Sequence, residues 1–154
     1  RSRGLGDVYK RQGDLDVLLA AYEGFHPDAR LLLESAPSVH KWALIEREPL
    51  SGWTAERTIL IGDAAHPMLP YMAQGAGASM EDAVVLARCL EDKDRDTVDA
   101  AFEACDLNRR VRTTEIQLRA RQNRWMRSAT DTDTDLIYGY DAWNVPLKCT
   151  RHPT

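Results

Sequence analysis

Two different hydrophobic periods run along the first third of this chain, and they predict its helices and strands. Helical spacing is carried by four residues: Leu15, Leu18, Leu19 and Tyr22. We therefore expect an amphipathic helix over residues 14–23. A second short helix should run from Pro27, whose fixed φ suits a first helical position, to Glu34. Residues 40–47 alternate their side chains between two faces, which predicts a strand.

The middle of the chain joins a short apolar run to a helical pattern. Residues 58–61 are rich in β-branched side chains, which predicts a buried strand in the centre of a sheet. Gly62-Asp63 follows directly, so a carboxylate would leave the carboxyl end of that strand, where open α/β folds bind their ligands. After a loop, we expect one helix that opens within residues 75–79 and ends at Leu90.

The last third of the chain is predicted to be mainly helical. A helix from Thr97 to about Leu107 has an apolar stripe, and the segment after it, residues 109–128, carries seven arginines. Basic helices can bind nucleic acid, but acidic stretches surround this one and Trp125 is its one aromatic residue. A solvated helix face is therefore the preferred interpretation of the arginines.

Alternating aspartates at residues 131–135 resemble the start of a calcium-binding loop. The EF-hand pattern would need Gly where Leu136 stands and an acidic ligand where Ala142 stands, so we reject a calcium site. We expect instead a solvated loop that ends a helix. The aromatic residues within 137–144 are expected to pack the tail onto the body of the protein.

Composition argues against several classes of partner. A length of 154 residues with a net charge of −4 does not favour nucleic acid or anionic lipid. No run approaches the roughly 18 apolar residues that a membrane span needs. The three cysteines are widely spaced without a CxxC pair, as expected for reduced thiols in the cytoplasm. The sequence carries no signal for an oligomeric state.

Residues 1–12 have the character of a translated sequencing adaptor and are excluded from fold reasoning. We expect them to make no consistent contacts with the rest of the protein. Their Gly4-Leu5-Gly6 lacks a preceding strand and a third glycine, so it is not a phosphate loop. The protein's own sequence would then begin in mid-chain at Gly13, and we expect the chain to be a fragment.

One stretch contains a motif whose order and spacing are specific. It reads Ile59-Leu60-Ile61-Gly62-Asp63-Ala64-Ala65-His66, followed by Pro70, Gln74-Gly75-Ala76-Gly77 and Glu81-Asp82-Ala83. This stretch resembles the second FAD-binding signature of the flavin-dependent aromatic hydroxylases, the para-hydroxybenzoate and salicylate hydroxylase type. The resemblance implies an α/β fold: the C-terminal part of a Rossmann-like FAD-binding domain, with a remnant of the substrate-domain sheet and C-terminal helices. A hairpin at residues 58–61 would contradict this interpretation.

The resemblance also implies a division of the chain into segments. Residues 13–56 would be the end of the substrate domain, and residues 57–92 the FAD-binding strand, loop and helix. Residues 93–154 would form a C-terminal helical segment and tail. The turn that holds the pyrophosphate of FAD is then expected upstream of Gly13.

The cofactor-binding residues that the resemblance implies are Gly62, Asp63, Pro70, Gly75, Ala76 and Gly77. It places Asp63 on the ribityl hydroxyls and the backbone N–H groups of Ala76 and Gly77 at the N1–C2=O edge of the flavin. Elementary physics agrees, because free N–H groups in the first turn of a helix favour an anion. Pro70 would stiffen the loop between flavin and substrate pocket, the one active-site feature assigned.

Three neighbouring polar residues are given structural interpretations. His66 has no second ligand at metal-binding spacing, so we expect no metal site and a ring packed against the loop. Glu81 and Asp82 lie in the first turns of the predicted helix, where carboxylates complement the helix dipole.

The reaction implied by the resemblance is hydroxylation of a small aromatic substrate, salicylate-like or another phenolic or aromatic acid. FAD would be the cofactor, with NAD(P)H as co-substrate and O₂ as oxidant, and no side chain is assigned as an acid or base. The same fold could support epoxidation, halogenation or dehydrogenation, and a non-enzymatic helical interaction module is a further alternative. The chain alone is expected to be inactive, poorly soluble and almost unable to bind FAD.

Overall fold

Two units make up the chain, Arg1–Leu44 and Ile45–Thr154. The structure is a computed structural model, and it describes residues 10–44, 46–122 and 134–148. Residues 1–9 of the expected adaptor segment, the end of the arginine-rich segment and aspartates 131 and 133 lie outside these described residues.

The first unit contains two short strands and two helices in the order β1 (Lys10–Gln12), α1 (Leu15–Ala21), α2 (Pro27–Glu34) and β2 (His40–Trp42). Both predicted helices are confirmed. The Asp14 carboxylate caps α1 by accepting a hydrogen bond from the Asp16 amide at 2.9 Å. Pro27 is the first residue of α2, where its missing N–H costs nothing.

The pairing of β1 with β2 corrects the expectation that residues 1–12 make no contacts. The two strands are antiparallel, with Lys10 opposite Trp42 and Gln12 opposite His40. The Gly13 amide extends the pairing by donating to the Val39 carbonyl at 2.7 Å. Main-chain hydrogen bonds form between extended segments of almost any sequence, so composition did not exclude them. The strand predicted over residues 40–47 is also shorter than expected and ends at Trp42.

In the second unit, a hairpin replaces the predicted central strand. Strands β3 (Thr54–Ala55) and β4 (Thr58–Ile59) pair antiparallel, and Glu56 turns the chain with a left-handed φ of 49°. The Leu60 amide also donates to the Trp53 carbonyl at 2.9 Å, so residues 58–60 satisfy their backbone locally. Among the described residues, β4 has no second strand neighbour. The central-strand prediction is therefore wrong.

Three helices follow: α3 (Gly75–Leu90), α4 (Val98–Gln122) and α5 (Thr134–Tyr138). The prediction of α3 is confirmed. The division of the next region at about residue 108 is wrong, because α4 is one helix of 25 residues with no Gly or Pro inside it. The loop expected at residues 131–135 is also wrong in part, since Thr134 and Asp135 belong to α5.

The core of the second unit lies where α3 packs on α4. Its buried cluster consists of Val85, Cys89, Ala101, Cys105 and Ala142. The tail returns to this cluster, and the Arg88 guanidinium holds it by donating to the carbonyls of Ala142 at 2.7 Å and Val145 at 2.9 Å. The expectation that the aromatic residues pack the tail onto the body holds for Tyr140, which lies against this cluster, but not for Tyr138 and Trp143, which are exposed. Within the described ranges, none of the helices has both the length and the apolar character needed to cross a membrane.

Candidate functional site

A tight turn follows the hairpin and contains Asp63, the predicted carboxylate. Residues Gly62–Ala64 form one turn of 3₁₀ helix, closed by the amides of Ala65 and His66, which donate to the Gly62 carbonyl at 2.8 and 2.9 Å. Gly62 is buried with φ +59°, and a Cβ added there would lie 2.9 Å from Ser79 Oγ. Only glycine meets both requirements without strain.

The turn brings Asp63 to the first residue of α3. Asp63 is exposed, and its Oδ1 lies 3.8 Å from the position that a Cβ would take at Gly75. The structure therefore brings together the two parts of the motif that the sequence places twelve residues apart. An exposed carboxylate at this place is available to accept hydrogen bonds from a ligand.

The first turn of α3 has free backbone donors. Ala73 has a left-handed φ of 52°. Gln74 precedes the helix, but its side chain does not cap it, because the side-chain Nε2 donates to the Met72 carbonyl. The N–H groups of the first helical residues, Gly75, Ala76 and Gly77, thus have no partner within the helix. Ala76 is exposed and carries only a methyl group, so a ligand can approach the backbone closely.

Pro70 begins a second 3₁₀ turn, Pro70–Met72, between the Asp63 turn and α3. It is exposed, and its carbonyl accepts a hydrogen bond from the Ala73 amide at 3.0 Å. The proline ring fixes φ at the start of this turn, so the loop ahead of α3 has limited freedom.

Hydrogen bonds connect the loop between the two turns to α4. The buried side chain of Gln117 donates from Nε2 to the carbonyls of Arg47 at 2.9 Å and Pro67 at 3.1 Å. The Arg47 guanidinium in turn donates to the Ala64 carbonyl. These bonds join residues 64–67 to the helix through two side chains, neither of which was identified from the sequence.

A buried carboxylate lies beneath the Asp63 turn. Asp82 is fully buried, and its Oδ2 accepts hydrogen bonds from the Gly62 amide at 3.0 Å and from His66 Nε2 at 2.6 Å. Its Oδ1 accepts from Arg109 Nε at 2.7 Å. The interpretation of Asp82 as a helix-dipole partner is therefore wrong, because side chains and a loop amide, not the helix end, satisfy it.

The protonation of this cluster follows from its contacts. Burial alone would raise the pKa of Asp82, but hydrogen bonds from His66, Arg109 and the Gly62 amide outweigh it and hold the pKa below the ordinary value of 3.8. Burial would likewise lower the pKa of Arg109, whereas its bonds to Asp82 raise it. At neutral pH the site thus contains a buried ion pair between Asp82 and Arg109.

Two arginines of α4 extend the cluster to the tail. Arg109 donates to Glu81 Oε2 at 2.6 Å, and Arg112 binds both oxygens of Glu81 at 2.9 Å. Both guanidinium groups lie over the Tyr140 ring, at 4.9 and 4.3 Å from its centroid. The prediction of a solvated arginine face is therefore wrong for these two residues, and Glu81 is likewise more than a helix-dipole partner.

A sequence signal for Arg109 existed. The predicted apolar stripe of this region includes Ala101 and Cys105, and the same helical spacing, continued, reaches Arg109 and then Thr113. Because the region was divided at residue 108, the stripe was not extended, and the buried position of Arg109 was missed.

His66 has a structural environment, as interpreted from the sequence. Its side chain is 2% exposed and packs on the buried Trp53, with ring centroids 5.2 Å apart. Because Asp82 is ionised, His66 Nε2 carries the proton that this bond requires. Among the described residues, no group of three His, Cys, Asp or Glu side chains could hold a metal ion.

The arrangement can bind a ligand that has hydroxyl groups beside an electron-rich edge. Asp63 supplies an acceptor, and the uncapped turn at Gly75–Gly77 supplies donors and a dipole of roughly +0.5 charge. The small residues Gly75 and Ala76 leave that turn open to a planar group. These features fit the ribityl chain and N1–C2=O edge of FAD. His66 and the buried Asp82 carboxylate bind each other, so neither is free to exchange a proton with a ligand.

Comparison with known proteins relates the chain to one family. Residues 29–117 match the model of an FAD binding domain. The chain is 42% identical over 127 residues to 6-hydroxynicotinate 3-monooxygenase of Pseudomonas fluorescens, covering 82% of this chain and 32% of that protein. It is also 42% identical over 109 residues to salicylate hydroxylase of Pseudomonas putida, covering 70% of this chain and 25% of that enzyme.

A solved structure supports the same relation. A salicylate hydroxylase substrate complex superimposes with a TM-score of 0.72 and 30% sequence identity, over 87% of this chain and 37% of that one. The described fold is thus found within a known flavoprotein-type structure. The chain spans about a third of the length of the first relative that it matches.

Proposed function

We propose that this chain, which belongs to the FAD binding domain family, forms part of the flavin site of an FAD-dependent monooxygenase that hydroxylates a small aromatic ring. The observation that carries the proposal is the approach of Asp63 to the uncapped N-terminus of α3, with Oδ1 3.8 Å from a Cβ built at Gly75. One acceptor and several main-chain donors face the same space there, which matches the polarity of a flavin.

Each residue of the turn and of α3 has a role in this proposal. Asp63 accepts hydrogen bonds from the ribityl hydroxyls, and charge-assisted bonds of this kind are stronger than neutral ones. The N–H groups of Ala76 and Gly77 face the N1–C2=O edge, and Gly75 permits close approach. Gly62 gives the turn its left-handed backbone.

The remaining tasks of the chain are orientation and charge stabilisation. FAD, when bound, supplies the redox chemistry, with NAD(P)H as electron donor and O₂ as the source of the inserted oxygen. The helix dipole at Gly75–Gly77 stabilises negative charge at the adjacent ring edge, as an oxyanion hole does. Pro70 holds the loop on the substrate side of the ring in a fixed conformation.

The substrate that we propose is a small phenolic or aromatic acid. The names of two relatives, a salicylate hydroxylase and a 6-hydroxynicotinate 3-monooxygenase, support this class. We further propose a cytoplasmic location, which the three widely spaced cysteines without a CxxC pair support. The net charge of −4 gives no reason to expect a nucleic-acid partner.

Replacement of Asp63 tests the cofactor site. In the full-length protein, Asp63→Ala removes a charged acceptor worth about 1.5–3 kcal/mol, so we expect the Kd for FAD to rise by roughly one to two decades. Titration of the FAD-free protein with FAD, followed by flavin fluorescence, measures the change. Asp96→Ala is the matched control, because it removes one exposed acidic side chain away from the site. An unchanged Kd for Asp63→Ala would show that the assignment is wrong.

The reaction itself has a separate test. We expect salicylate or a related hydroxylated aromatic acid to stimulate NAD(P)H oxidation by the full-length protein and to yield a product that contains one atom from ¹⁸O₂. Flavin binding without incorporation of labelled oxygen would instead favour another reaction on the same fold, such as dehydrogenation.

A further inference from the structure

We propose that Asp82 is a positioning residue for FAD binding, because it fixes the Gly62–Asp63 turn relative to the N-terminus of α3. The proposal rests on the proposed function, since it assumes that Asp63 and the first turn of α3 bind the flavin. Asp82 is buried and does not itself reach the exposed face of the site, so its effect on the cofactor passes through the residues that it binds, above all Gly62 and His66.

The first step of the argument is the shared carboxylate. One side chain on α3 binds the turn through the Gly62 amide at 3.0 Å, the loop through His66 at 2.6 Å, and α4 through Arg109 at 2.7 Å. These are three separate parts of the chain. A displacement of Asp82 would therefore change the position of the turn that precedes Asp63.

The second step is that one helix carries both parts of the site. The donors at Gly75–Gly77 lie five to seven residues before Asp82 in α3, which is about one and a half to two turns of a rigid element. Ser79 lies between them, and its Oγ would be 2.9 Å from a Cβ at Gly62, so the turn is in close contact with the same helix. Contacts along α3 therefore help to set the distance from Asp63 to the helix donors.

The third step is burial. Asp82 and Arg109 are both 0% exposed, so water does not compete for the Gly62 amide. A buried carboxylate with four hydrogen-bonding sites accepts several bonds at once, and its lone pairs have defined directions. The bond to Gly62 is accordingly a geometric constraint on the turn in addition to a stabilising contact.

Glu81 provides a matched comparison on the same helix. It also pairs with Arg109, at 2.6 Å, and with Arg112, but it has no contact with residues 62–66 among the hydrogen bonds of the described chain. Loss of Glu81 therefore weakens the ion pairing of Arg109 and leaves the turn bound to Asp82. The two carboxylates separate an effect on the turn from an effect on the charge network.

The experiment compares Asp82→Asn, Asp82→Glu and Glu81→Gln in the full-length protein. Asp82→Asn replaces one acceptor oxygen by a donor, and Asp82→Glu keeps the charge but moves the carboxylate by one methylene. We expect both Asp82 variants to raise the Kd for FAD by about tenfold, the effect of losing one hydrogen bond to a charged group. The visible circular dichroism of the bound flavin should also change, because the ribityl chain is held differently. Glu81→Gln should keep the parent Kd and spectrum.

Each result bears on the proposal. Parent-like FAD binding and flavin dichroism in an Asp82 variant would overturn it, and so would an equal loss in Glu81→Gln, which would point to the charge network alone. If Asp82→Asn does not fold, Asp82→Glu decides, because it retains a partner for Arg109. Failure of the proposed function gives a different result. If Asp63 does not bind FAD, Asp63→Asn leaves the Kd for FAD unchanged, whatever the Asp82 variants do.

Discussion

Gly62 shows how strongly a single position can be constrained in this protein. Its φ of +59° lies in the left-handed region, and the space where a side chain would project is taken by Ser79. The amide of the same residue donates to buried Asp82. Backbone conformation and the space available therefore both require the absence of a Cβ at this residue, and the hydrogen bond to Asp82 depends on that conformation.

Gly62→Ala should destabilise the protein by about 1–2 kcal/mol from the backbone conformation alone. The contact of the new methyl group with Ser79 Oγ would add to this loss. Urea unfolding of the variant and of the parent measures the difference. Gly52→Ala is the control, because a Cβ there meets nothing within 4 Å and its φ is not in the positive range. Equal stability of the two variants would contradict the requirement for glycine in the turn.

The pKa of Asp82 predicts an acid-dependent loss of stability. Because this pKa is lower in the folded protein than the ordinary 3.8, ionised Asp82 contributes its full stabilisation above about pH 4. The contribution declines as the pH falls from that value towards the lower folded-state pKa. We expect the difference in free energy of unfolding between parent and Asp82→Asn to shrink over this interval.

Thermal or urea unfolding between pH 3 and 7 provides the measurement for this prediction. Asp96→Asn is the control for the loss of one carboxylate from the exposed loop between α3 and α4. A difference between parent and Asp82→Asn that stays constant, or grows, as the pH is lowered would contradict the prediction.

At the scale of elements, α4 has two roles that its composition does not reveal. Its middle part provides the partners of the α3 carboxylates through Arg109 and Arg112, and Asn108 binds the tail, since its side chain bonds to both the amide and the carbonyl of Lys148 at 2.8 Å. These long-range bonds explain why Asn108, a weak helix former, does not interrupt the helix. Tertiary contacts thus support α4 at Asn108, in a helix that contains no Gly or Pro.

Arg109→Leu should be far more damaging than the same change at Arg110. Removal of one partner from a buried ion pair typically costs about 3–5 kcal/mol, because the remaining charge loses its compensation. Arg110 is partly exposed and pairs with Asp106 one turn away on the same helix, and i,i+4 helix pairs contribute only about 0.3–0.5 kcal/mol. Urea unfolding of both variants tests the contrast. Similar losses of stability would show that burial of Arg109 does not determine its importance.

Local signals explain which elements could be predicted. Helices α1 and α2 follow from periodicity, a capping aspartate and a first-position proline, all within a few residues. Strand β4 was misassigned because a short apolar run has the same appearance in a hairpin and in a central strand. Pairing partners are set by tertiary structure, and the left-handed Glu56 that reverses the chain has no strong sequence signature.

At the scale of the whole molecule, the motif was informative where its parts are close in sequence. Asp63 and the first turn of α3 are brought together as expected, since one loop joins them. The criterion that a hairpin at residues 58–61 would contradict the flavin interpretation was mistaken, because the hairpin forms and the chain still belongs to the FAD binding domain family. The turn after the strand, and not the pairing of the strand, distinguishes the motif.

The buried network could not be predicted because its partners are far apart along the chain. Asp82 and Arg109 are separated by 27 positions and Arg47 and Gln117 by 70. Their side chains are charged or polar, which in sequence usually indicates an exposed position. Only the tertiary structure identifies Asp82, Arg109 and Gln117 as interior residues.

The shared carboxylate of Asp82 also restricts how this protein can change by mutation. A buried ion pair can often be exchanged for apolar residues without loss, provided that both partners change together. Here that exchange would still leave the Gly62 amide and the His66 ring without an acceptor, and every residue except proline would keep the amide donor at position 62, so the arrangement of Asp82, Arg109, Gly62 and His66 is difficult to replace. If these residues change one at a time, the first substitution produces a destabilised protein. We therefore expect relatives of this chain to keep these four residues and to vary at the positions around them.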